Sequence, residues 1–385
     1  MLSLFFWYKI GVEGERMEEA LNYLKKFIHY GDNIVVAVSG GPDSMALLTL
    51  VNEIKKNLDI GIICAHVNHN VREESAYEKK FVEEYCDQNH IIFEYMKIEN
   101  YGDDNFHNEA RTKRYHYFEQ IVKKYNAHYL LTAHHADDLM ETILMRLVRG
   151  STLRGYSGFS KVVPMEGYQI IRPLIQVPKI DIYEYCKKNK IEFVQDKSND
   201  KDIYTRNRFR KYVVPTLRKE NPEVEKKFYK FSTLLLEYDH FIDDIVKEKM
   251  NDIYKQNVLN IEKFKKEKHI IQLKIIYSLL EQFYQEDLML LTDKHAELIL
   301  NLINSDKPNL KIHLPNNVIA KKAYDVFTLE KEREGEKDYE IEMLHYANLP
   351  NGHNIQRIAS TIENGNDICR LNSKEVKLPL YIRNR

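Results

Sequence analysis

Ile34-Val35-Val36-Ala37-Val38-Ser39-Gly40-Gly41-Pro42-Asp43-Ser44 decides the fold. The first five residues are apolar and mostly β-branched, as in a strand buried on both faces. From Ser44 to Lys56, Ala46, Leu47, Leu50, Val51 and Ile54 recur at helical spacing, so Ser39–Ser44 joins a strand to a helix. Free backbone N–H groups and the helix dipole at such a junction favour an anion. Gly40 and Gly41 let the backbone approach phosphate without a Cβ in the way, and the Ser39 and Ser44 hydroxyls can donate further bonds. Pro42 suits the first helical turn, where its missing donor costs nothing. Asp43 cannot itself bind phosphate, so a metal ion between them is the natural complement. The G-K-[ST] lysine of a Walker A loop is missing. The plain alternative is a Gly-rich turn with no ligand.

Outward from this loop, β-branched runs at Ile60–Val67, Ile91–Ile98 and Tyr129–Ala133 alternate with helical patterns near Glu74–Gln88, Phe106–Tyr125 and Asp137–Arg149. Alternation of this kind predicts βαβ units in a doubly wound, mostly parallel sheet, with ligands outside the carboxyl ends of the strands. Beyond Pro215, the patterns at Glu223–Tyr254, Gln272–Gln285 and Thr292–Ile303 predict a helical domain. Two strands with a turn at Pro315-Asn316-Asn317 are expected in Leu310–Glu330, then a charged linker at Glu330–Glu340. Leu378–Arg385 reads as a strand with nothing after it to pair. The fold class expected is therefore α/β, followed by a helical domain and a short, incomplete α+β C-terminal segment.

At 385 residues and 43% hydrophobic, the chain is long enough for two or three domains. Its formal net charge of -1 supplies no global field for a polyanion, so any nucleic acid must meet local basic patches. Cys64, Cys86, Cys186 and Cys369 form no C-x-x-C pair, which argues against a zinc knuckle or disulfide framework and fits a reducing compartment. The apolar run within Met1–Tyr8 is far shorter than the ~20 residues that cross a bilayer, and no membrane association is expected. Met17 is read as the natural start, with 1–16 as an upstream extension; a mass spectrum of the native protein distinguishes the two starts.

Three further clusters carry chemistry. In Leu131–Thr142, His134, Asp138 and Glu141 fall at i, i+4 and i+7 and would share a helix face, with Leu139, Ile143 and Leu147 opposite. The plainer reading, acidic residues stabilising a helix start, covers Asp137 and Asp138 but requires neither His134 nor Glu141. In Asn108–Tyr115, Arg111 and Arg114 lie one turn apart; they could bind phosphate oxygens or form an exposed basic face. His66-Val67-Asn68-His69-Asn70-Val71-Arg72 ends the second strand; His66 is read as an adenosine contact, since no third metal ligand has the usual spacing. Later, Arg206, Arg208, Arg210 and Lys211 surround Tyr204 and Phe209, which suits either an RNA backbone or a basic interdomain helix. Lys263–Lys268 reads as a solvated face.

Ser39–Ser44 resembles the PP-loop of the N-type ATP pyrophosphatases. Together with His66–Arg72, Glu109–Tyr115, His134–Thr142, Arg149–Thr152, Arg172-Pro173-Leu174 and Asp196–Arg210, it is similar to the tRNA(Ile)-lysidine synthetase family, from Met17 to the C-terminus. The resemblance implies a cytoplasmic enzyme using ATP, Mg2+ and free L-lysine to convert the wobble cytidine of a CAU anticodon in tRNA(Ile) into lysidine. It implies ATP contacts at Ser39, Gly40, Gly41, Pro42, Asp43, Ser44 and His66, and metal and charge management by Asp43 and Asp138. His134 would meet the activated phosphate, and Arg111 or Arg114 the developing charge. Independently of the resemblance, the lysine amine must lose a proton before it attacks, and Asp138 or Glu141 is read as its base. Arg206, Arg208, Arg210 and Lys211 would contact tRNA, with a homodimer as the candidate assembly. Expected domains are 1–16 as extension, 17–214 catalytic, 215–330 binding substrate or tRNA, and 331–385 as linker and incomplete C-terminal domain. Longer family members continue into a tRNA-engaging domain, which leaves the carried-over tRNA affinity open.

The rivals are a PP-loop tRNA thiolase, which usually needs cysteine pairs, and a noncatalytic RNA-binding module that kept the loop. Small-molecule ligases on the same loop would need a glutaminase partner or a compact pocket.

Overall fold

Strand β1 (Asn33–Val38) sends its side chains alternately into two cores: Ile34, Val36 and Val38 into one, Val35 into the other. That is the burial expected of a central parallel strand covered on both faces. The computed structural model describes residues 15–68, 75–98, 106–195, 202, 204–285, 291–332, 340–349, 352–358, 369, 371, 376 and 378–383. Helical turns at 15–24 (α1) precede β1. After it come α2 (Pro42–Lys55), β2 (Gly61–Asn68), α3 (Ser75–Gln88), β3 (Ile92–Lys97), α4 (Phe106–Lys124) and β4 (Tyr129–Leu131). The first sheet is completed by α5 (Ala136–Arg149), α6 (Leu153–Tyr156), β5 (Val162–Met165), β6 (Tyr168–Ile171) and α7 (Lys179–Lys188).

The strand order is β3-β2-β1-β4-β6-β5, parallel throughout except that β5 runs antiparallel to β6 at the edge. The α/β doubly wound expectation holds. One face packs Leu24, Leu47 and Ile182 from α1, α2 and α7; the other packs Tyr117, Phe118 and Ile121 of α4. Burial of each such side chain contributes roughly 2 kcal/mol, which fixes both layers on the sheet. The chain winds from β1 to β3 on one side, then crosses to β4 on the other. The turns after β1 and β4 therefore lie side by side at the carboxyl ends of their strands, the switch-point position for a ligand.

A second helical stretch carries α8 (Thr205–Arg208), a π-helical turn at Phe209–Val213 and α9 (Val214–Glu220) without interruption. Pro215 has no N–H for the carbonyl of Lys211; the Val214 N–H reaches back to Phe209 instead, widening the helix locally. The long helix α10 (Val224–Ile253) follows.

By internal packing the chain divides into Met1–Asp243 and Asp244–Arg385. The second unit contains β7 (Tyr254–Lys255), β8 (Val258–Asn260), α11 (Ile261–Lys265), α12 (His269–Tyr284), α13 (Asp293–Asn304), β9 (Asn309–Leu314), β10 (Val318–Ala323) and β11 (Val326–Lys331). Its strands form one sheet in the order β7-β8-β11-β10-β9. The helical expectation beyond Pro215 thus missed two short strands, β7 and β8, and the two strands expected in Leu310–Glu330 are three, because a second tight turn at Tyr324, at positive φ, separates β10 from β11. Gln256 and Asn257, both at positive φ, turn β7 into β8 just past the end of the helical pattern at Glu223–Tyr254. Asn316 and Asn317, also at positive φ, make the turn expected between β9 and β10. The last described strand is not unpaired: among β12 (Glu340–Met343), β13 (Tyr346–Asn348), β14 (Asn354–Gln356) and β15 (Leu380–Arg383), β15 pairs antiparallel with β12. Its partner precedes it by some forty residues, a separation that local pattern does not reveal.

Candidate active site

The loop after β1 is held by its own hydroxyls. Gly40 adopts φ +88, in the left-handed region open to glycine, and turns the backbone from strand toward helix. Ser44 is buried; its hydroxyl donates to the Gly41 carbonyl at 3.0 Å and accepts the Ser39 N–H at 3.1 Å. Its proton is thereby committed inside the loop. Pro42 occupies the first turn of α2, as its chemistry suggested. Asp43 projects from that turn, and the ammonium of Lys179 bonds both of its carboxylate oxygens.

The turn after β4 brings a second set of groups to the same place. Buried His135 lies at the start of α5, with Nε2 3.8 Å from an Asp43 oxygen and 3.5 Å from an Asp138 oxygen. Asp138 accepts the His135 N–H at 3.1 Å and the Arg206 guanidinium at 2.9 Å. Burial acts to raise the Asp138 pKa, but His135, Arg206 and His134 outweigh it and hold the carboxyl well below the usual range. Glu141, fully buried, accepts Arg206 Nε and Arg210 Nε, each at 2.7 Å, and Arg210 Nη2 at 3.1 Å. Asp137 caps the Lys179 N–H at 3.0 Å and binds Arg218 at 2.8 Å; Arg218 in turn reaches Glu225 at 2.5 Å. Burial raises the Asp137 pKa too, and Arg218 with His135 brings it below normal.

His134 precedes α5 rather than lying on it, so the i, i+4, i+7 spacing is not what unites it with Asp138 and Glu141. Its Nδ1 bonds the Thr132 hydroxyl at 2.9 Å and its ring packs 5.2 Å from that of Phe159. Burial pushes its pKa down to about 3, with Asp138 opposing and Arg172, Arg114 and Arg111 assisting. Leu139 and Ile143 are buried as expected, whereas Leu147 is half exposed. Arg111 and Arg114 both lie against the Tyr115 ring, at 4.8 and 5.8 Å, in a basic group that includes buried Arg172. Burial lowers the Arg114 and Arg172 pKa values, and Arg111 adds to the effect.

His66 is buried at the end of β2; its Nδ1 bonds the Val38 carbonyl at 2.8 Å and its ring stacks with Phe93 and Tyr95. Burial lowers its pKa and favours the neutral ring. His69–Arg72 and Asp196–Asn199 lie outside the described residues. Of the four cations read as RNA contacts, Arg206 and Arg210 bind the α5 carboxylates, while Arg208 and Lys211 meet Asp202 at the surface. Local charge pattern could not show this, because Glu141 is 65 and 69 residues from its two arginines. His135, Lys179 and Arg218 were given no role from sequence, and Arg172 entered only within the motif Arg172-Pro173-Leu174. The signal for Lys179 was its place after a strand on the ligand side, but β6 spans only four residues and went unread.

Asp43 and Asp138 flank one imidazole nitrogen and offer hard oxygen donors, a set that fits a magnesium ion completed by phosphate oxygens. Among the described residues no group of three or more His, Cys, Asp or Glu could hold a metal by itself. No helix of the described residues is long and apolar enough to cross a membrane.

A parallel sheet whose central strand ends in this turn defines a PP-loop domain, and the family model of that description matches residues 15–217. A "Bifunctional protein TilS/HprT" of Listeria monocytogenes is 37% identical, covering 94% of this chain and 59% of that protein. A "tRNA(Ile)-lysidine synthase" of Geobacillus kaustophilus is 34% identical over 95% of this chain and 84% of its own length. One of Bacillus cereus is 38% identical over 76% and 64%. The chain belongs to the tRNA(Ile)-lysidine synthase family. It spans about three fifths of the length of the Listeria relatives. Among solved structures, the U34-tRNA thiolase NcsA of Methanococcus maripaludis shares the fold, with TM-score 0.51 and 15% identity over 58% of this chain and 78% of that one.

Proposed function

We propose that this chain ligates L-lysine to C2 of the wobble cytidine in a CAU-anticodon tRNA(Ile), using ATP. The observation that carries the proposal is the convergence of the phosphate-type loop with Asp43, His134, Asp138 and Glu141 at one switch point. The names of the relatives point to the same substrate.

In the first step the cytosine O2 attacks the α-phosphorus, a phosphorus–oxygen bond forms, and pyrophosphate leaves with the bond it held. Backbone N–H groups of Ser39–Ser44 retain the pyrophosphate, and Arg111 and Arg114 meet charge developing on the α-phosphate. Neutral His134, unable to repel a guanidinium as imidazolium would, contributes a hydrogen bond there. Asp43 and Asp138 would hold the magnesium ion, which neutralises phosphate charge.

In the second step the lysine ε-ammonium gives up a proton to solvent, its nitrogen attacks C2, the C2–oxygen bond breaks to release AMP, and the departing phosphate takes the further proton that the new C2–N bond sheds. Asp138 receives the amine; Glu141, fully buried with both oxygens on Arg206 and Arg210, supports Asp138 from behind. A carboxylate as acidic as Asp138 binds an ammonium ion well and accepts its proton poorly, so its first task in this reading is anchoring. Arg206 and Arg210 hold both carboxylates in place, leaving Arg208 and Lys211 as the proposed tRNA contacts. The proposal keeps 17–214 as the catalytic domain and 215–330 as the substrate- or tRNA-binding region, in a cytoplasmic setting.

The test is incubation with ATP, labelled lysine and tRNA. Label should enter an isoleucine tRNA bearing CAU, and pyrophosphate release should depend on that tRNA. Pyrophosphate release without tRNA, or label in no RNA, would overturn the proposal.

A further inference from the structure

Lys179 is the first residue of α7, brought by the β6–α7 connection to the ligand side of the sheet. Its backbone is fixed, because Pro178 sets the N-cap and Asp137 accepts the Lys179 N–H at 3.0 Å. Asp137 is itself held by Arg218, which is braced by Glu225. The Lys179 ammonium nitrogen lies 5.0 Å from the centre of the Tyr183 ring and bonds both oxygens of Asp43. Asp43 and Lys179 are 136 residues apart, so only the fold creates the pair. Both side chains keep about a quarter of their surface exposed.

These contacts set two partners in competition. The Lys179 ammonium covers both oxygens of Asp43, so a divalent cation reaching that carboxylate must displace it from at least one of them. A displaced ammonium on so short a tether has the phosphate chain at the loop as its nearest anion. We propose that Lys179 is a nucleotide-positioning residue that exchanges partners: its ammonium yields the Asp43 carboxylate to the divalent cation and takes a phosphate oxygen. This rests on the nucleotide reading of the loop given above. Chemically, Lys179 supplies from α7, which packs on the same face as α2, the cation that a Walker A loop carries within itself.

The test measures binding rather than turnover, on full-length wild type, Lys179→Met and Lys179→Arg. Mn2+ is titrated into nucleotide-free protein by electron paramagnetic resonance, and ATP with Mg2+ by calorimetry. In Lys179→Met the Mn2+ Kd should fall about tenfold and the ATP Kd should rise about tenfold, the scale of one charge-assisted bond. Lys179→Arg, which keeps the competing charge, should restore weak Mn2+ binding. A merely structural lysine would leave Asp43 misplaced on removal, so unchanged or weaker Mn2+ binding in Lys179→Met overturns the proposal. Unchanged ATP affinity overturns it as well. Wild type that binds no ATP would remove the nucleotide reading and this proposal together, a failure visible before any substitution is made.

Discussion

Two residues of the site owe their protonation states to burial and to neighbours contributed by distant segments. His134 is pushed down to about 3, against an ordinary value of 6.5. Between those values the unfolded chain binds a proton that the folded chain does not, so stability rises with pH across the window. Urea unfolding at pH 4.5, 5.5 and 6.5 should show wild type losing up to about 1.4 kcal/mol per pH unit more than His134→Gln as pH falls. Asp138 works in a lower window: its depressed pKa stabilises the fold above the ordinary carboxylate value, and that contribution is lost as pH drops through the folded-state value. Asp138→Asn should raise the KM for lysine and lower turnover by about 100-fold, measured by label incorporation; unchanged turnover would remove Asp138 from the reaction. Asp43 and Ser44 were identifiable because loop chemistry is local and consecutive. His135 was not, because its value lies in standing between Asp43 and Asp138, which belong to different elements.

At the level of elements, α5 is held from one side by arginines and from the other by a glycine. Arg206 in α8 and Arg210 in the π-helical turn both reach Glu141, and that local widening belongs to a segment constrained by Pro215. Glu141→Gln would leave two guanidinium groups facing a neutral amide. Stability should fall by about 2–4 kcal/mol, below the full loss of a buried pair because both arginines are partly exposed; the urea midpoint reads it. Gly158, at φ +81, lies so close to α5 that a Cβ would come within 2.7 Å of Leu139 Cδ1 and 3.1 Å of Ile143 Cγ1. Gly158→Ala should therefore destabilise by about 1–3 kcal/mol, seen as a lower Tm, with loss of the Arg146 bond to its carbonyl as a second consequence. Helices and strands with strong periodicity, such as α2 and β2, were legible in the sequence. The four-residue strands β5 and β6 were not, since so few residues show no period.

Across the whole molecule, opposite charges nearly balance, so attraction to RNA has to come from local contacts. If Arg208 and Lys211 each neutralise one phosphate, replacing both by alanine should reduce the slope of log K against log salt by about 1.5–2. Filter binding of tRNA between low and moderate salt measures it; an unchanged slope would move the RNA contact elsewhere.

By itself the amino-acid sequence determined the order of βαβ units, the phosphate-type loop and the family, because each depends on residues adjacent in the chain or on local periodicity. Tertiary structure alone decided that Lys179 meets Asp43 and that Arg206 and Arg210 serve Glu141. Partners of a buried charge are chosen by which segments the sheet order brings together, and a lone basic residue carries no local sign of the carboxylate it will find.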